Sequence, residues 1–127
     1  TLRFAENYSN EILVSCDKDK IGQVMQNLII NAIKYSDPGT EVVVRFTDAE
    51  RNLLIEIEDN GPGIDEKHIS RLFERFYRVD KSRARNEGGT GLGLSIVKHI
   101  IEAHGHTVQV SSVEGKGSNF FFTLTKI

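Results

Sequence analysis

Two pairs of alternating apolar segments, each joined across a short polar loop, restrict this chain to folds built on antiparallel hairpins. Val42, Val44 and Phe46 recur at every second residue in one segment, Leu53, Ile55 and Ile57 in the next, and residues 48–52 read as the loop between them. Val108/Val110 and Phe120/Phe122/Leu124 form the second pair around the turn Gly115-Lys116-Gly117. A further strand is expected at Ile12, Val14 and Cys16. Between the strands the apolar period lengthens to that of a helix. Ile21, Val24, Leu28 and Ala32 make one stripe, widened by Met25 and Ile29, with Asp17 as its N-cap and Asp37-Pro38-Gly39 stopping it after about Tyr35. Leu92, Ile96, Ile100 and Ala103 set a second long helix, and residues 66–73 a short one. The expected fold is an α+β two-layer sandwich: a mixed, largely antiparallel five-stranded sheet with about three helices on one face, in a single domain spanning residues 1–127.

Composition narrows the function. A net charge of -2 gives no whole-molecule attraction to nucleic acid or to an anionic membrane, so no nucleic-acid partner is expected and any anion must be held by a local site. The lone Cys16 cannot close an internal disulfide, which favours the cytoplasm. No apolar run approaches the ~20 residues of a membrane span, and the start lacks signal-peptide anatomy. Thr1 reads as an internal position of a longer chain.

Four features carry chemistry. Asn27, Asn31 and Lys34 fall on one stripe of the first helix, at i, i+4 and i+7. Asparagine is a poor helix former, so two in mid-helix need a reason. A solvated face is one reading. The other is a cation and phosphate stripe, in which amide oxygens ligate Mg²⁺ and Lys34 supplies a point charge. Asp59-Asn60-Gly61-Pro62-Gly63 follows a strand: either a simple turn, or a place where a carboxylate accepts from an amine-bearing ring such as adenine. Gly88-Gly89-Thr90-Gly91-Leu92-Gly93-Leu94 opens the second long helix, where unpaired amides can cradle phosphate. Its context fits neither a dinucleotide fold nor a P-loop. In Leu72-Phe73-Glu74-Arg75-Phe76-Tyr77-Arg78 the two phenylalanines are expected to pin a short helix to the core. Arg78 and Arg83 either belong to a solvated basic loop or reach a γ-phosphate. The four histidines are scattered and make no metal set.

Taken in order, these motifs resemble the superfamily of gyrase, the ninety-kilodalton heat-shock chaperone, histidine kinases and the mismatch-repair ATPase, most closely the sensor histidine kinases. Residues 27–35 look like their N box, 59–63 like the first glycine box, 73–76 like the F box and 89–93 like the second glycine box. Residues 115–120 resemble the final glycine turn. The resemblance implies ATP and Mg²⁺ as cofactors. Asp59 would bind the adenine amino group, Asn31 would ligate Mg²⁺ with Asn27 in support, and Lys34 and Tyr35 would contact phosphate or ribose. Gly61, Gly63, Ile64, Gly89, Thr90, Gly91, Leu92, Gly93 and Leu94 would line the pocket. Residues 80–90 would be a mobile ATP lid, and Arg78 the γ-phosphate arginine, with Arg83 beside it. Asn27, Lys34, Arg78 and Arg83 are the expected catalytic set.

Ser118 replaces a common threonine and His106 a common glycine, both expected to lie away from the nucleotide contacts. At position 27 relatives that hydrolyse ATP typically carry a glutamate, whereas an amide cannot take a proton. The implied reaction is transfer of the γ-phosphoryl group to a histidine. The acceptor would sit on a separate helical domain, since none of the histidines here has the expected context. A response regulator would act downstream. The fragment would be a monomer and its parent a homodimer, anchored in the cell membrane with this domain in the cytoplasm. The competing reading is a non-catalytic, nucleotide-dependent switch of the same superfamily.

Overall fold

Both expected hairpins are present in the computed structural model, which describes residues 12–34, 39–77 and 93–127, together with the backbone of 2–7. The strands are β1 (Leu2–Asn7), β2 (Val42–Ala49), β3 (Asn52–Asp59), β4 (Val108–Val113) and β5 (Gly117–Thr125). They form one sheet in the order β1-β2-β3-β5-β4. β2, β3, β5 and β4 pair antiparallel in turn, and β1 lies parallel to β2 at the edge. The antiparallel part is as expected, but the remaining member is not. Residues 12–16 contribute only an isolated bridge, Val14 to Lys126, while the edge strand is Leu2–Asn7, where Leu2 and Phe4 alternate with Arg3 and Ala5.

Three helices occur among the described residues: α1 (Lys18–Lys34), the short α2 (Glu66–Ile69) and α3 (Gly93–Ala103). Asp17 caps α1 as expected, its Oδ1 accepting from the N–H groups of Asp19 and Lys20 at 3.1 Å each. The far end of α3 closes through Gly105, in the left-handed region at φ 80°, with the His106 N–H donating to the Ile101 carbonyl. His104 then ties the two helices together. Its Nδ1 donates to the Ile100 carbonyl at 2.8 Å and its Nε2 accepts the Asp17 N–H at 3.0 Å.

Alternation along the strands explains why the helices share one face. Val42, Val44, Leu53, Ile55, Ile57, Phe120, Phe122 and Leu124 are buried against Ile21, Val24, Leu28 and Ala32 of α1 and Val97, Ile100 and Ile101 of α3. The opposite face carries polar pairs such as Arg45 with Glu58 at 2.9 Å and Asn119 with Glu56 at 2.8 Å. Leu28 is fully buried, and truncating such a residue to alanine costs about 2–5 kcal/mol.

Candidate nucleotide site

The core stripe of α1 orients its polar stripe. Because Val24, Leu28 and Ala32 face the sheet, Asn27, Asn31 and Lys34 fall on the flank beside them and are part-buried. The outermost face of the helix belongs instead to Gln26, Ile30 and Ile33, which are exposed. The paired asparagines therefore sit at the margin of the core, not on a solvated face. Their amide oxygens are hard, neutral donors of the kind Mg²⁺ accepts alongside water and phosphate. Among the described residues no cluster of three His, Cys, Asp or Glu offers a competing metal site.

Asp59 ends the central strand β3, and its surroundings fix the carboxylate. Oδ1 accepts the Gly61 N–H at 3.0 Å, and the N–H of Ser118, its partner across β5, also donates to the carboxylate. Burial pushes the Asp59 carboxyl above the usual carboxylate range and the neighbouring Glu58 adds to that, while the two N–H bonds pull the other way. The group is thus a desolvated acceptor held in one orientation. Next to it, Asn60 Oδ1 accepts the Glu41 N–H at 2.9 Å, which joins the loop to the start of β2.

This loop is interlocked with the β4–β5 turn. The Gly115 N–H donates to the Pro62 carbonyl at 2.6 Å. Gly63, at φ 76°, lies so close to the turn that a Cβ would stand 2.3 Å from the Val113 carbonyl oxygen. Gly117, at φ 133°, leaves no room either, since a Cβ there would stand 2.1 Å from the Asp59 carbonyl oxygen. These glycines permit contact between two pieces of backbone: at Gly63 the close approach is to the neighbouring turn, and Gly117 belongs to that turn, as expected. Ser112 completes the junction: its Oγ accepts the Ile64 N–H at 2.8 Å, donates to the Gly117 carbonyl at 3.0 Å and lies 2.9 Å from Ser118 Oγ.

Ser112 carries no signal in the sequence that marks it. Ser118, expected to lie away from the nucleotide contacts, is buried and directly opposite Asp59. Only strand register brings positions 59 and 118 together; the Gly-x-Gly-Ser pattern was the one local hint. His106 does lie elsewhere, bonded to Thr123 and Thr125 on the outer part of β5.

The other expected contacts divide. Gly61 is buried, Ile64 and Leu94 pack against the core, and Gly93 is the exposed first residue of α3. Tyr35, Arg78, Arg83, Gly89, Thr90, Gly91, Leu92 and the lid expected over residues 80–90 lie outside the described residues. In the F box, Phe73 meets Phe120 edge-on with centroids 6.2 Å apart, as expected. Phe76 does not pin anything: it is 63 % exposed, with a φ of 66° that a bulky side chain rarely adopts. The neighbouring Tyr77 is anchored, its hydroxyl bonded to His68 Nδ1 and its ring covered by the Arg71 guanidinium at 4.4 Å.

The sequence model of the family described as histidine kinase-, DNA gyrase B- and HSP90-like ATPase matches residues 16–126. The chain belongs to this family. Sensor histidine kinase WalK of Bacillus subtilis (strain 168) is 47 % identical over 116 residues, covering 90 % of this chain and 19 % of WalK. Among solved structures, the catalytic domain of histidine kinase ThkA superposes with a TM-score of 0.83 at 29 % identity, covering 98 % of this chain and 79 % of that one. Full-length ShkA in complex with AMPPNP gives a TM-score of 0.80 at 25 % identity, over 99 % of this chain and 26 % of ShkA. The chain spans about a fifth of the length of the curated relatives it matches. As in those histidine kinase catalytic domains, the fold is α+β with helices on one face of the sheet. Among the described residues no helix is long and apolar enough to cross a membrane.

Proposed function

We propose that this domain binds ATP with Mg²⁺ and delivers the γ-phosphoryl group to a histidine on a separate helical domain of the same sensor kinase. The observation that carries the reading is Asp59, a desolvated carboxylate fixed by two backbone donors at the end of a central strand. It can accept from the adenine amino group with no reorganisation of its own. Gly61, Ile64 and Leu94 line the base pocket, and Gly63 sets the path of the loop that carries the first two. Asn31, with Asn27, holds the Mg²⁺, which neutralises phosphate charge when bound. Lys34 and Tyr35 contact phosphate or ribose. The second glycine box, from Gly89 and Thr90 through Gly91, Leu92 and Gly93, contacts the phosphates, and Arg78 and Arg83 stabilise charge on the γ-phosphoryl group.

Position 27 selects the chemistry. An amide there cannot take a proton from water or from a hydroxyl, which suits an acceptor that is already nucleophilic. An imidazole nitrogen forms the bond to the γ-phosphorus while the bond to the bridging oxygen breaks, giving phosphohistidine and ADP. The parent acts as a homodimer anchored in the membrane, passing its phosphoryl group to a response regulator, and this domain alone is a cytoplasmic monomer. The ShkA complex with AMPPNP supports a nucleotide in this fold, and the named relatives support the kinase.

The test supplies γ-labelled ATP and Mg²⁺ to this chain with and without a separately purified phosphoacceptor domain. Label is expected on the added histidine alone. Label on this chain by itself at a comparable rate would overturn the division of labour. Saturable ATP binding without transfer to any acceptor would favour the nucleotide-dependent switch.

A further inference from the structure

We propose that Ser112 is a specificity-determining residue: by fixing the direction of the Ser118 hydroxyl proton, it turns the floor of the base site into a surface of acceptors only. The inference rests on the placement of adenine against Asp59. Ser112 itself never touches the nucleotide and acts as a positioning residue.

The argument is a count of hydrogen-bonding capacity. A serine hydroxyl has one proton to donate and two lone pairs to accept with. The Gly117 carbonyl can only accept, so the 3.0 Å contact uses the Ser112 proton. The Ile64 N–H can only donate, so the 2.8 Å contact uses one Ser112 lone pair. The remaining contact, 2.9 Å to Ser118 Oγ, must then run from Ser118 to Ser112. That commits the Ser118 proton and leaves Ser118 with acceptor lone pairs alone.

Register makes this matter for the base. Asp59 and Ser118 are directly paired across β3 and β5, so both side chains rise from the same face of the sheet, with Cβ atoms about 4.5–5.5 Å apart. The Asp59 carboxylate also only accepts. At C6, adenine brings an amino donor to this pair, whereas hypoxanthine brings a carbonyl, a third acceptor whose lone pairs face those of the pair; the exchange at N1, from acceptor to N–H donor, is the same in every variant compared. A site built in this way rejects the wrong partner more strongly than it favours the right one.

The test measures calorimetric affinities of the chain for ATP and for inosine triphosphate, which carries a carbonyl in place of the amino group. Wild type is expected to prefer ATP. In Ser112→Ala the Ser118 proton is released and can turn to the carbonyl, so the ATP-to-inosine preference is expected to shrink by about tenfold, the value of one hydrogen bond. Ser112→Thr, which keeps the hydroxyl, should restore the preference. Should Ser112→Ala loosen the loop, Ser118→Ala offers a second route, since it leaves the bonds of Ser112 to Ile64 and Gly117 intact. The preference should shrink there too, and the double variant should match Ser118→Ala. Equal loss of affinity for both nucleotides in Ser112→Ala, with the preference unchanged, would overturn the inference and leave Ser112 a purely structural bond. Absence of ATP binding to folded wild type would instead sink the nucleotide reading on which it stands.

Discussion

Asp59 is held in a form that folding does not favour, and its titration should reveal this. Its carboxyl is raised in the folded state chiefly by burial, from an unfolded value near ~3.9. In the interval between those two pKa values the folded chain binds more protons than the unfolded one, so this group's contribution to stability is present in acid and is lost as pH rises through the folded pKa. Asp59→Asn removes the ionisation while its amide oxygen can still accept the Gly61 N–H. The variant is expected to melt a few degrees higher than wild type at neutral pH, with the gain shrinking toward pH ~4 in parallel thermal scans. Affinity for a non-hydrolysable ATP analogue should fall on the order of a hundredfold, the value of a hydrogen bond to a charged group. A variant that is both more stable and weaker in binding would mark Asp59 as a residue retained for its ligand.

Glycines at the level of the elements separate into opposite kinds. Gly22 lies within α1 with nothing within 4 Å of where a Cβ would stand, so Gly22→Ala is expected to raise stability by about 0.5–1 kcal/mol in denaturant titration. Gly117→Ala should do the reverse, because a φ of 133° and a 2.1 Å approach to the Asp59 carbonyl leave no room to relax. A loss of roughly 2 kcal/mol or more is expected, and nucleotide affinity should go with it. Glu50 opens the two-residue turn between β2 and β3 at φ 62°, where hairpins prefer glycine. Glu50→Gly should gain about 1 kcal/mol without touching the site. The same elements show what was legible in the sequence. Period-two and helical spacing gave β2, β3, β4, β5, α1 and α3, because burial on one face imposes those periods. Residues 12–16 carry a strand pattern yet pair through a single bridge, since pairing depends on a neighbour that local pattern does not specify. The hairpin loop is two residues, 50–51, shorter than the expected 48–52, because Asp48, Ala49 and Asn52 are polar or small yet remain in the ladder. At the site, Asp59 and its glycines were legible as turn chemistry, while the role of Ser112 was not, because its three partners come from residues 64, 117 and 118.

Across the whole molecule, the Asp59 junction lies where two central strands meet, with β1 and β4 as the edges of the sheet. Asp59 and Ser118 are brought together only by the pairing of β3 with β5, so their meeting carries the entropic cost of closing a long loop. The edges can fray without disturbing that junction; the centre cannot. Native-state hydrogen exchange should therefore show the β3–β5 amides exchanging only through global unfolding, with β1 amides exchanging through smaller openings. Chains held on the ribosome at successive lengths supply a complementary reading with a fluorescent ATP analogue: affinity is expected to be absent until β5 has emerged, and to rise in one step thereafter. On the order of synthesis, then, Asp59 and its glycines are finished early but wait for β5. A chain that stops short of β5 carries Asp59 and its glycines without the strand that pairs with them, so completion of β5 is the point at which this junction first exists.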